Sequence, residues 1–232
     1  MRISLALTQR RRQQKGFYMK SMNLPNKLTL LRIAFVPLIM AMMLIEFPLH
    51  YLVAGLLFGA AAITDAFDGK IARRDNLITN FGKFADPLAD KILVISVLVC
   101  FVKFGLSGAV PLVIIVLREF AVTSVRLVAA ANGKVIAANM WGKVKTVAQI
   151  VAIVAVFVFQ TAFDIVSLIS YGETFTSGEM YILNQANYHA SIVTVYNVFN
   201  TIGQVLIWIA AVFTVISGAK YLIDNCEVIN DA

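Results

Sequence analysis

Cysteine and histidine are nearly absent from this chain: two of each occur among 232 residues. Cys100 falls in an apolar run and Cys226 in the polar tail, so no disulfide framework is expected. His50 and His189 fall in loops without a metal-ligand partner nearby, and no histidine-based metal centre is expected. Charge is scarce as well. Charged residues make up 14% of the chain, with 13 acids against 20 bases, and the segment from Phe163 to Asn197 holds no base at all. No small-residue cleavage site precedes the first apolar run, so the N-terminal stretch does not resemble a secretory signal. Internal repeats and low-complexity tracts are missing too.

What is present is apolar. The chain is 59% hydrophobic, above the 45–50% or so usual for soluble domains. Several runs reach the roughly 20 residues that a bilayer span requires. The composition predicts an all-α polytopic membrane protein rather than a soluble bundle with an unusually apolar core. Six spans are read, at about 28–46, 51–72, 84–104, 110–131, 141–163 and 192–222. They form one membrane domain over 28–223, between a basic lead (1–27) and a short polar tail (224–232). The lead reads as an amphipathic helix on the membrane surface, a disordered tail or an organellar targeting peptide, and Met19 and Met22 are alternative starts. The polar, aromatic stretch from Tyr171 to Ala190 reads as a solvated loop.

The net charge of +7 is unevenly placed. Bases crowd the lead, recur between Lys70 and Lys91, and return at Lys134, Lys143, Lys145 and Lys220. This alternation predicts a cytoplasmic membrane protein with both termini in the cytoplasm. The connectors between spans two and three, and between four and five, then face the same side. Nucleic acid is not an expected partner, because the bases are divided among loops between apolar spans.

Four of the acids stand in one register: Asp65 and Asp68, then Asp86 and Asp90, read as D-x2-D-G-x2-A-R-x8-G-x3-D-x3-D. A carboxylate at the centre of a membrane helix costs roughly 2.5–3.5 kcal/mol, so four at the mouths of two such helices need a reason. Acids three or four apart share a helix face, and two antiparallel helices joined by a short connector can bring the two faces together. Hard oxygen ligands of this kind suit Mg²⁺, Mn²⁺ or Ca²⁺, and four carboxylates suffice for two ions. Gly69, Ala72 and Gly82 leave room beside them, although each glycine alone would read as a turn or helix-packing residue.

With Arg73, these residues fill every fixed position of the signature of the CDP-alcohol phosphotransferases, and the chain resembles that family from about Met22 onward. The resemblance implies two divalent cations, Mg²⁺ or Mn²⁺, bound by Asp65, Asp68, Asp86 and Asp90. It implies Asp90 as general base, and a CDP-linked donor held by Gly69, Ala72, Arg73 and Gly82. It also implies a cytoplasm-facing polar cavity and a homodimer. The stretch Asn23–Arg32 is similar to the entry of the first span in the glycerol-phosphate branch. Asn26 and Thr29, three apart, either bind the donor or cap the helix.

The fourth span carries Arg118, Glu119 and Arg126, and the fifth opens on Gly142-Lys143-Val144-Lys145-Thr146. Arginines within a span face a polar cavity, and Arg118, Arg126 and Lys143 together would clamp a phosphate. The alternative is that Arg118 pairs with Glu119 or a metal-site aspartate, and that Lys143 is a topology charge. A clamp implies an acceptor that carries phosphate. The resemblance to the glycerol-phosphate branch implies transfer of a phosphatidyl group from CDP-diacylglycerol to sn-glycerol 3-phosphate. Cardiolipin synthase, phosphatidylserine synthase and phosphatidylinositol phosphate synthase activities stay open within the family, and a divalent-cation transporter outside it.

Overall fold

The runs of apolar residues become six α-helices in the computed structural model, which describes residues 24–74, 80–131, 140–175, 179–180, 182 and 190–226. At 24–27, 65–74, 80–87, 90, 131 and 190 the description covers the backbone alone. Helix α1 is Leu24–Leu44, α2 His50–Arg74, α3 Asn80–Lys103, α4 Ala109–Ala131, α5 Met140–Tyr171 and α6 Ala190–Asp224. No strand occurs among the described residues. The start of the lead, the connectors 75–79 and 132–139, most of the 171–190 loop and the tail from 227 lie outside them.

Helix ends follow local chemistry. Gly105 takes the left-handed conformation (φ 68°), open to glycine without the Cβ penalty. It closes α3, with Leu106 N–H donating to Phe101 O at 2.8 Å and Gly105 N–H to Val102 O at 3.2 Å. This pair of bonds satisfies carbonyls that the helix end leaves open, and Leu106 beyond them is fully buried. Pro111 falls in the first turn of α4, where its missing N–H costs nothing. His50 is not in a loop: it opens α2, is buried, and its Nδ1 lies 3.0 Å from Phe47 O.

Helix α1 packs against both α2 and α3, α5 lies along α6 and touches α2 and α3, and α4 packs on α3 and α6. The main core draws on all six helices, with Met43, Phe58, Phe101, Ile115, Phe157 and Ile207 among its most buried members. Phe157 meets Phe101 edge-on at 5.2 Å and Phe58 at 6.0 Å. Small residues permit the close approaches: a Cβ at Gly55 would lie 3.1 Å from Phe157 Cβ, and one at Gly203 3.1 Å from Val156 Cγ2. A second cluster, Phe163, Met180, Ile192 and Val193, closes the far end of α5 and α6.

The outward faces are apolar too. Val144, Val147, Val151, Val154 and Val158 form an exposed stripe on α5, and Val198, Ile202, Val205, Ile209, Val212 and Ile216 another on α6. Both helices are long and apolar enough to cross a bilayer. The buried face of α5 carries the polar groups instead, with Lys145, Gln149, Gln160, Asp164 and Ser167 along one side. Polar side chains turned inward and apolar ones outward match an environment of lipid.

Candidate active site

A cavity of about 550 Å³ opens among the helices, and every one of the six contributes to its wall. Arg32 enters from α1, Phe58 and Ala62 from α2, Lys91 and Val94 from α3, Arg118, Glu119 and Arg126 from α4, Lys143, Lys145 and Gln149 from α5, and Ser217 and Tyr221 from α6. Among the described residues the lining holds six basic side chains and a single acid. So large an excess of one sign in a partly dry space focuses potential on an anion.

The cations differ in setting. Arg126 and Lys143 are exposed at the rim, whereas Arg32 and Lys145 are only 1% and 5% exposed. Arg118 donates from Nη2 to Ser217 Oγ at 2.8 Å and has Nη1 3.4 Å from Glu119 Oε1. Its stem lies in a slot made by Gly218, where a Cβ would stand 2.8 Å from Arg118 Cγ. Lys145 Nζ pairs with the same Glu119 Oε1. Lys91 Nζ donates to Thr123 Oγ1 and, at 3.3 Å, to the Glu119 carbonyl, which also accepts from Thr123 Oγ1 at 2.7 Å. Deeper in, Gln149 Nε2 donates to Thr214 Oγ1 at 3.3 Å.

The structure thus brings Arg118, Arg126 and Lys143 to one cavity. Thr29 is buried in α1 and does not line it. Asn26, Asp65, Asp68, Gly69, Ala72, Arg73, Gly82, Asp86 and Asp90 all stand on helical backbone, and their side chains lie outside the described residues. Their register is still informative. Phe58 and Ala62 line the cavity, and Asp65 continues that row of α2 three residues on. On α3, Asp86 and Asp90 precede the lining residue Val94 at steps of four. Acids whose backbone positions extend the cavity rows, with hard oxygen donors at helical spacing, form a donor set that fits divalent cations.

Contributors that the expected site leaves out include Arg32, Lys91, Lys145 and Gly218, while the Arg118–Glu119 pair weighed as the alternative is present. Lys145 and Lys143 sit two apart on the helix and both line the cavity, Lys143 exposed at the rim and Lys145 buried. The inward row Lys145, Gln149, Ala152, Val156, Gln160 was the available signal. Arg32 gave one as well, being a guanidinium that opens directly onto the apolar remainder of its helix.

A family model of CDP-alcohol phosphatidyltransferases matches residues 22–216. The chain is 40% identical over 217 residues to the CDP-diacylglycerol–glycerol-3-phosphate 3-phosphatidyltransferase of Bacillus subtilis (strain 168), covering 88% of this chain and 96% of the relative. It is 33% identical over 199 residues to the protein of the same name from Rickettsia bellii (strain RML369-C), covering 86% and 93%. A like-named protein of Salmonella choleraesuis (strain SC-B67) is 40% identical over 135 residues, or 56% and 74% of the two chains. The chain belongs to the CDP-alcohol phosphatidyltransferase family, and it is an enzyme of the phosphatidyltransferase class.

Proposed function

We propose that this enzyme transfers the phosphatidyl group of CDP-diacylglycerol to a hydroxyl of sn-glycerol 3-phosphate, releasing CMP and forming phosphatidylglycerophosphate. The observation that carries the acceptor is the cavity, to which the described residues contribute six basic side chains against one acid. Serine offers no phosphate to such a wall, and glycerol 3-phosphate does. The names of the relatives point the same way. A cation-conducting path is disfavoured by the family match, since the relatives are named as phosphatidyltransferases.

In this reading the six helices all span the cytoplasmic membrane, with the cavity and both termini on the cytoplasmic side and a homodimer as the working form. Asp65, Asp68, Asp86 and Asp90 hold two divalent cations, Mg²⁺ or Mn²⁺. Bound cations supply charge neutralisation for the diphosphate and the departing CMP. Gly69, Ala72, Arg73 and Gly82, with Asn26 at the mouth of α1, accommodate the CDP group, whereas Thr29, buried within α1, takes no part in it. Arg118, Arg126 and Lys143 orient the acceptor through its phosphate. Asp90 takes the proton of the acceptor hydroxyl as its oxygen attacks the phosphorus that bears the diacylglycerol. The bond from that phosphorus to the CMP oxygen breaks.

The test is CMP release by the purified protein in lipid–detergent micelles, with glycerol 3-phosphate, serine, inositol phosphate or phosphatidylglycerol as competing acceptors. Glycerol 3-phosphate is expected to dominate. Preference for any of the others would overturn the acceptor assignment.

A further inference from the structure

Glu119 is the one carboxylate that the described residues contribute to the cavity wall, and it does not behave as a general base in waiting. Its Oε1 is engaged by Lys145 Nζ from α5 and approached by Arg118 Nη1 on its own helix. Its backbone carbonyl accepts from Lys91 of α3, and Arg118 in turn reaches Ser217 of α6. One residue therefore ties three cations into a frame spanning four helices.

Lys145 has a long, flexible stem with a compact charge. It is almost fully buried, with two other cations near it. Without a counter-charge, repulsion from those cations would turn it away. With Glu119 in place its Nζ is held against the carboxylate at the cavity wall. We infer that Glu119 is a positioning residue for acceptor recognition: it fixes Lys145 and Arg118 as a paired cationic face onto which the acceptor's phosphate docks. The inference rests on the reading that the acceptor carries phosphate.

The alternative signs are opposite, which makes the assignment testable. Were Glu119 only a local negative charge, its neutralisation would leave the cavity more positive and tighten phosphate binding. As a positioning residue, its loss weakens that binding. Full-length Glu119→Gln is therefore assayed for CMP release while each substrate is varied in turn. The expected result is a KM for glycerol 3-phosphate raised roughly tenfold or more, as for loss of a charged hydrogen-bond geometry. The KM for CDP-diacylglycerol stays within about twofold. An unchanged or lowered glycerol 3-phosphate KM, or an equal rise in both, overturns the inference.

Breaking a buried pair can unfold a protein, whereas replacing both partners by apolar groups is often tolerated. Glu119→Leu/Lys145→Met is the second variant, checked for monodispersity and melting in detergent. It is expected to regain the fold yet keep the raised glycerol 3-phosphate KM, and a normal KM in the folded double variant would reduce Glu119 to a structural role. If the wild type turns over inositol phosphate instead, the acceptor assignment fails, and the same KM comparison on that acceptor still decides the role of Glu119.

Discussion

At the scale of single residues, the proposed mechanism divides chemistry and binding between two sets of side chains. If Asp90 is the base, replacing it by Asn keeps an oxygen ligand but removes the proton acceptor, and kcat is expected to fall roughly 10²–10⁴-fold. Near wild-type turnover of Asp90→Asn would exclude it from that role. Arg118→Ala removes a charged donor from the cavity wall. A loss of about 1.5–3 kcal/mol corresponds to a KM for glycerol 3-phosphate raised roughly ten- to a hundredfold, with the donor KM little changed. Gly218→Ala should mimic this without touching a charge. The added Cβ would stand 2.8 Å from Arg118 Cγ, a mid-stem atom that cannot swing aside as a side-chain tip would. A Gly218→Ala enzyme with unaltered acceptor KM would show that the Arg118 slot is not tight. The register of the aspartates is legible because spacing is a sequence property. The slot was not, because it joins positions a hundred residues apart and depends on how α4 lies on α6.

At the scale of elements, the six helices were legible from apolar runs, and the observed bounds differ from those read by a few residues except on α5. That helix continues to Tyr171, about eight residues past the expected end, because Asp164 and Ser167 are turned into the buried face where they no longer end an apolar run. Which face points inward was less legible. A helix in lipid is apolar all round, so its hydrophobic asymmetry is weak, and it is the charged row of α4 and the polar row of α5 that break the symmetry. The contact between α2 and α5 is a place where element packing can be tested. A Val at Gly55 would press on Phe157, whose Cβ and Cγ lie 3.1 and 3.2 Å from the added carbon. Such overpacking costs about 1–3 kcal/mol, so the Tm in detergent should drop, and an unshifted Tm would mean the two helices separate freely. The acidic ends of α2 and α3 make a different prediction. Chelation should abolish CMP release, with Mg²⁺ or Mn²⁺ restoring it, and full activity in excess chelator would remove the cations from the reaction.

At the scale of the whole molecule, the two cysteines report on orientation. Cys226 is exposed just beyond α6, while Cys100 is buried inside α3. A membrane-impermeant maleimide should label Cys226 in inside-out vesicles and not in intact cells. Cys100 should stay unlabelled in both until the protein is denatured. Labelling of Cys226 from outside would invert the proposed topology. The Cys226→Ser protein serves as the control and should be fully active.

The inward row of α5 also constrains how the chain is made. A lone helix bearing a lysine, two glutamines, an aspartate and a serine along one side is a poor guest among acyl chains. It becomes comfortable only when its neighbours cover that side. A ribosome that stalls after Tyr171 would leave the row bare, without α6 to shield it. Biogenesis should therefore retain α5 in the insertion machinery until α6 emerges, and a chain truncated between the two should be cleared by membrane proteases rather than accumulate.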